Sequence, residues 1–232
     1  MRILIKEELR GKVFIGVGVI KGINNRQYPG ELENYIKSEV NNIRGRYTLE
    51  ALKDDRVIRA YRDFYWHELG IDPTKQRPAQ EALLRRILRG EGLPRINPMV
   101  DIGNVASIKY LVPVGLYDIG KFQGRDLVIR YAVDGETFNP IGSPVRKLTR
   151  NQIVLATVDN LILHIYPYRD SELTKIDENT RDVLIITAGV PGVDQNVLRE
   201  STGFIMRTAR EYLGGEPIGE PILIVSEGEV VT

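Results

Sequence analysis

From Pro113 to Val190 the chain is a succession of short β-branched runs separated by turn-forming residues. The runs are Val114–Tyr117, Leu127–Val133, Ile153–Val158, Leu161–Tyr166 and Val183–Val190. Parallel neighbours need a crossover of a dozen or more residues, usually a helix, between consecutive strands, and no helical period stands between these runs. They are therefore expected to pair mainly as hairpins, with turns at Asp134–Gly135 and Asp159–Asn160. Helical periods lie in blocks before and after this region, so the fold class is α+β with a largely antiparallel sheet.

The preceding block opens with two β-rich stretches, Ile3–Ile5 and Val13–Ile20. In Glu31–Arg44, Leu32, Tyr35, Ile36, Val40 and Ile43 recur at spacings of three and four, which gives a helix one apolar face. A second helix is expected over Asp54–Leu69 and a third over Pro78–Arg89, the latter with Leu83, Leu84, Ile87 and Leu88 inward and Arg85, Arg86 and Arg89 outward. Asn97 followed by Pro98 caps a fourth, which has so little polar surface beyond Asp101 and Asn104 that it must be nearly buried. Val197–Leu213 reads as a closing amphipathic helix and Ile222–Val225 as a last strand. We read residues 1–232 as a single domain: a packed N-terminal lobe over 1–73, a core over 74–190, and a C-terminal helix and strand over 191–232.

Composition removes whole classes of chemistry. With no cysteine and only two histidines, His67 and His164, the chain offers no thiolate nucleophile, no thiolate-ligated metal and no imidazole cluster. No cofactor or metal is expected. No apolar stretch approaches the roughly 20 residues of a membrane helix, and no signal-peptide pattern opens the chain, so a cytoplasmic location is expected. A net charge of +1 provides no global field for a polyanion, and any nucleic acid has to be held by a local patch.

Several motifs resemble sites only superficially. GLYDIGKF, Gly115–Phe122, has the glycine and lysine spacing of a phosphate loop, yet Phe122 stands where Ser or Thr must bind magnesium. Gly16 and Gly18 form half a dinucleotide fingerprint and read better as small residues in a strand. His164, Asp170 and Ser171 have the residue types of a hydrolytic triad but no nucleophile elbow. Three polar groups in apolar context remain as candidates. They are Asp101 and Asn104 on one face of the fourth helix, Glu136 after a turn glycine, and the segment YPYRDSE, Tyr166–Glu172. In that segment Tyr166 and Tyr168, two apart, are expected to share one side.

The run RPAQEALLRRILRGEGLPRINPMVDIGNVASIKYLVPVGLYDIGKF, Arg77–Phe122, together with IRYAVDGETFNPIG and YRDSELTKIDENTRDVLI, resembles the B3/B4 editing module of the phenylalanyl-tRNA synthetase beta subunit. The match covers about half the chain in order, and the remainder is too short for a synthetase catalytic module, so the chain looks like a stand-alone member. The resemblance implies an α+β unit with helices and sheet around a central pocket. It implies metal-independent hydrolysis of a wrongly charged tRNA, carried by placement and hydrogen bonding. Transferred residue by residue, it points to Asn104 and Glu136 as catalytic groups that position water and the ammonium. Asp101, Tyr117, Asp118, His164, Tyr168, Arg169 and Asp170 are the substrate-binding candidates, and Arg85, Arg86, Arg89 and Arg95 the RNA contacts. The expected partner is tRNA or aminoacyl-tRNA. The alternatives are a non-catalytic RNA-binding module and a pocket for an amino acid or small aromatic metabolite. Two departures bear on the choice. Bacterial modules carry a histidine in the segment aligned with Pro113–Asp118, where Gly115 stands here, and bulky Tyr166–Arg169 replaces their glycine-rich sequence.

Overall fold

The computed structural model describes residues 1–230. In chain order its elements are β1 (Arg2–Ile5), β2 (Phe14–Lys21), α1 (Gly30–Arg44), α2 (Arg56–His67), α3 (Ala79–Leu88), α4 (Pro98–Tyr110), β3 (Val114–Asp118) and the one-turn α5 (Ile119–Phe122). There follow β4 (Leu127–Tyr131), β5 (Thr137–Phe138), β6 (Arg146–Lys147), β7 (Ile153–Thr157), β8 (Ile162–Ile165), β9 (Arg169–Asp170) and β10 (Val183–Gly189). The chain closes with α6 (Gln195–Leu213), β11 (Glu216–Pro217), β12 (Ile222–Ile224) and β13 (Glu227–Glu229).

Two sheets face each other. One has the order β13-β1-β4-β7-β8-β9, the other β11-β2-β10-β3 with β12 also on β2, and β5 and β6 form a small separate ribbon. Every pairing is antiparallel except β1 with β4, as the expectation of a largely antiparallel α+β fold requires. The main core lies between the sheets, where Ile3, Ile5, Ile15, Val17, Ile129 and Leu155 meet Leu184, Ile186 and the α2 aromatics Tyr61, Phe64 and Tyr65. The other face of the second sheet is covered by α1, α4 and α6 through Ile36, Ile102, Ile205 and Ala209 packed on Val183 and Ile185. That double burial explains why β10 reads as an unbroken apolar run. Gly16 and Gly18 serve this packing. A Cβ at Gly16 would lie 2.4 Å from Thr187 Oγ1 and 2.8 Å from Thr202 Oγ1, and one at Gly18 would lie 2.5 Å from Met206 Sδ. The glycines let α6 lie directly against β2.

Residues 1–73 contribute to both sheets: β1 sits within the first beside β4 and β13, and β2 within the second beside β10. One expectation about pairing changes. The Asp134–Gly135 turn exists, with Gly135 at φ +85° and its N–H donating to Leu148 O. It does not close a hairpin on β4, because only Thr137 and Phe138 extend after it, and β4 takes β7 as partner instead. Tyr166 and Tyr168 both pack toward α2, on Phe64 and Tyr65, with Tyr166 completely buried and Tyr168 partly exposed at the rim of the core. The Asp159–Asn160 turn does join β7 to β8, with Asn160 at φ +71°.

Candidate functional site

A cavity of about 450 Å³ opens between α4 and β3. Val100, Gly103 and Asn104 of α4 form one wall, Val114 and Leu116 of β3 another, and Asp170, Lys175, Ile176 and Asp177 complete it, with Ile96 and Ile141 at the mouth. Gly103 sets the width, for a Cβ there would lie 2.8 Å from Leu116 Cδ1. Asn97 starts α4 by accepting the Val100 N–H at 3.0 Å, and this cap places Val100, Gly103 and Asn104 one turn apart along the wall. The Asn104 side chain makes no hydrogen bond to protein among the described residues.

Asp170 is the most elaborated polar group of this cavity. Its Oδ1 accepts the Tyr117 hydroxyl at 2.9 Å and lies 2.9 Å from His164 Nδ1. Tyr117 and His164 are both buried, on the core side of β3, behind the carboxylate that reaches the cavity. Burial and the adjacent Asp170 carboxylate push the Tyr117 phenol well above its ordinary range, so it stays a donor. The glycine at position 115 has a direct cause here. Gly115 and Tyr117 point to the same side of β3, and a Cβ at 115 would lie 2.0 Å from the Tyr117 hydroxyl. Asp177, also in the wall, is paired with Lys121 at 2.6 Å, which holds its carboxyl below the usual carboxylate range. Lys175 is paired with Glu172.

Of the residues singled out from the sequence, Asn104 and Asp170 come together in the cavity, and the others take different places. Asp101 is buried under the loop before α4. It accepts Tyr28 Oη at 3.0 Å, Arg95 Nε at 2.9 Å and the Ile96 N–H at 3.0 Å, so it braces the cavity mouth from beneath and does not share Asn104's exposure. Asp118 caps α5 through the Gly120 N–H and accepts Thr180 Oγ1 at 2.7 Å. Glu136 is absent from the cavity wall. It binds Arg130 through both oxygens at 3.0 and 2.6 Å and accepts the Val133 N–H at 2.6 Å, and the Arg130 bonds draw its carboxyl below the ordinary glutamate range. The shared location expected for Asn104 and Glu136 is thereby corrected: the carboxylates that line the cavity with Asn104 are Asp170 and Asp177. Tyr168 packs on Tyr65 and its hydroxyl meets Gln152 Nε2 at 3.2 Å. Arg169 is exposed. Tyr166 donates to main-chain carbonyls in the core, so it neither fills nor reshapes the cavity.

The arginines also divide. Arg85 turns inward, where it and Arg62 clamp the fully buried Glu81 at 2.7 and 2.8 Å. Arg95 is spent on Asp101 and on the face of Tyr28, 4.2 Å from the ring centroid. Arg86 pairs with Glu91 at 3.2 Å. Arg77 and Arg89 are exposed and have no ion pair among the described residues. Arg77, Arg85, Arg86 and Arg89 together border an open groove of about 410 Å³ over Ala82 and Leu83 on α3. Sequence reasoning missed Lys175, Ile176 and Asp177 in the wall and Arg77 at the groove. The first three lie in the TKID run, whose charges look like an ordinary solvated loop.

The model of the B3/4 domain matches residues 60–212. The chain is similar to the phenylalanine–tRNA ligase beta subunit of Nitrobacter winogradskyi, at 37% identity over 115 residues, covering 50% of this chain and 14% of that protein. It is also similar to the beta subunit of Streptococcus mutans, at 25% identity over 142 residues, covering 61% and 17%. The chain thus spans under a fifth of the length of these relatives. Among solved structures, an N-terminal fragment of the phenylalanyl-tRNA synthetase beta-subunit from Pyrococcus horikoshii aligns with a TM-score of 0.49 and 13% identity, covering 93% of this chain and 49% of that one.

Proposed function

Because the chain belongs to the B3/4 domain family, we propose that it acts on tRNA in translation quality control, taking the amino-acid end of an aminoacyl-tRNA into the α4–β3 cavity and hydrolysing its ester. The observation that carries this reading is the meeting of Asn104, with its amide uncommitted, and Asp170 in one cavity with apolar walls. A volume of about 450 Å³ lies in the range of small-molecule sites. In this reading Val100, Val114, Leu116 and Ile176 hold the amino-acid side chain, and Asp170 holds the α-ammonium. The Asn104 amide accepts from the attacking water or donates to the ester carbonyl oxygen. Water adds to the carbonyl carbon, the bond to the ribose oxygen breaks as a proton from that water passes to the oxygen, and free amino acid and tRNA with its hydroxyl restored leave. The rate comes from orientation in a confined site.

Exposed Arg77 and Arg89, with Arg86, supply phosphate contacts along the α3 groove. Arg85 and Arg95 are left out of this reading because they hold the buried carboxylates Glu81 and Asp101, whereas Glu91, the partner of Arg86, is exposed. A second reading, capture of tRNA without hydrolysis, is favoured by two observations: Glu136 is committed to Arg130, and neither wall carboxylate is free of protein partners. Single-turnover deacylation of a panel of correctly and wrongly charged tRNAs, beginning with tyrosine on the phenylalanine tRNA, separates the two. The hydrolytic reading expects release of one mischarged species, lost in Asn104→Ala and Asp170→Asn and retained in Glu136→Gln. Silence across the panel with tRNA still bound at low salt would replace it with the second.

A further inference from the structure

We propose that Tyr117, His164 and Asp170 form a fixed ammonium clamp that restricts the cavity to ligands with a free primary amine, so that N-acylated aminoacyl esters are refused. The inference rests on the cavity assignment above and goes further by naming the chemical class admitted and two positioning residues. Three observations carry it.

Both bonds to Asp170 fall on one oxygen. Oδ1 takes Tyr117 Oη and His164 Nδ1, each at 2.9 Å, while Oδ2 receives no protein donor among the described residues. Asp170 lines the cavity, and its side chain is one-third exposed. The carboxylate is therefore tied from behind, with acceptor capacity left over at the front.

The two donors cannot rearrange. The His164 ring stands edge-on between Tyr117, 6.3 Å away at 77°, and Tyr166, 5.9 Å away at 88°. Tyr166 is itself anchored on the Phe14 and Gly189 carbonyls. With Nδ1 directed at Asp170, the other ring nitrogen of His164 is left buried without a partner among the described residues, so no second contact competes for the ring. Two rigid donors on one oxygen define the carboxylate's rotamer.

The cation of the wall is engaged elsewhere. Lys175 is paired with Glu172, so the unused oxygen of Asp170 remains available to a ligand. A compact ammonium with three N–H groups suits a single projecting carboxylate oxygen beside apolar walls. A planar guanidinium would seek both oxygens of a carboxylate. Acylation of the amine removes the charge and adds bulk where the Asp170 side chain stands.

The test uses tyrosine methyl ester and its N-acetyl derivative as probes, with calorimetric titration into the whole protein. The free amine is expected to bind at least about tenfold more tightly, the equivalent of one charge-assisted hydrogen bond. Asp170→Asn is expected to erase the ratio. Tyr117→Phe and His164→Gln are expected to shrink it several-fold, and Asp170→Glu to restore part of the preference for the amine. The ratio is the decisive readout, because a merely structural defect weakens both probes alike. Equal binding of the two probes, absence of binding by the free amine at millimolar concentration, or an unchanged ratio in Asp170→Asn would each overturn the clamp. The outcomes also separate the clamp from the hydrolytic reading. Selective binding without deacylation of any charged tRNA keeps the clamp and removes the hydrolase, while equal hydrolysis of free and N-acetylated aminoacyl-tRNA does the reverse.

Discussion

Substituting Gly115 by Ala tests the packing that arranges the cavity floor. The new Cβ would lie 2.0 Å from the Tyr117 hydroxyl, 2.7 Å from Cζ and 3.0 Å from Cε2. Tyr117 is completely buried, so its ring has no solvent to swing into. Either β3 shifts or the hydroxyl leaves Asp170. Overpacking a tight core costs about 1–3 kcal/mol, and losing a hydrogen bond to a charged group costs about 1.5–3 kcal/mol. Either outcome makes the expected destabilisation about 1–3 kcal/mol. At about 2 °C per kcal/mol for a domain of this size, the melting midpoint should fall by roughly 2–6 °C. Urea titration and thermal melts of four proteins complete a double-mutant cycle: wild type, Gly115→Ala, Tyr117→Phe and the pair. Removing the hydroxyl relieves the worst contact, so the alanine substitution should cost about 1–2 kcal/mol less in the Tyr117→Phe background. A Gly115→Ala protein within about 0.5 kcal/mol of wild type, or the same cost in both backgrounds, would refute the reasoning.

The remaining predictions concern the charged groups. Glu81→Gln leaves Arg62 and Arg85 against a buried neutral amide and should lower stability by about 3 kcal/mol in urea titration. Glu136 has its folded-state pKa depressed by Arg130. Its contribution is thus complete above the unfolded glutamate value and disappears as pH falls through the lower folded value, so Glu136→Gln should flatten the acid limb of a stability-versus-pH curve. Arg77→Ala with Arg89→Ala should weaken tRNA binding and reduce the log–log salt slope by about 1.5, whereas Arg95→Ala should lower the melting midpoint and leave the slope unchanged.

Much of the fold could be read from the residues, because the strongest periods belong to elements with one dominant environment. β10 is apolar throughout because both its faces are covered, and α4 is announced by Asn97–Pro98 and by an almost wholly apolar composition. Pairing was less legible. The Asp134–Gly135 signal fixes a local turn, but which strand β4 meets depends on the excursion through β5 and β6, a long-range outcome that no local signal encodes. The site was half legible for a related reason. Asn104 and Asp170 lie 66 positions apart and meet only through packing of α4 on β3 and the turn into β9. Charge type also misled: Arg85, Arg86 and Arg89 look alike on a helix, and only the buried Glu81 of the preceding turn shows that Arg85 faces inward.

The central claim is that the α4–β3 cavity receives the amino-acid end of a charged tRNA. A crystal structure with a non-hydrolysable 3′-aminoacylamino-adenosine tests it most directly. The account predicts the amino-acid side chain against Val114 and Leu116, its ammonium on Asp170 and its carbonyl within hydrogen-bonding reach of Asn104. The analogue seated elsewhere on the protein, or a cavity still empty at saturating analogue, would contradict it.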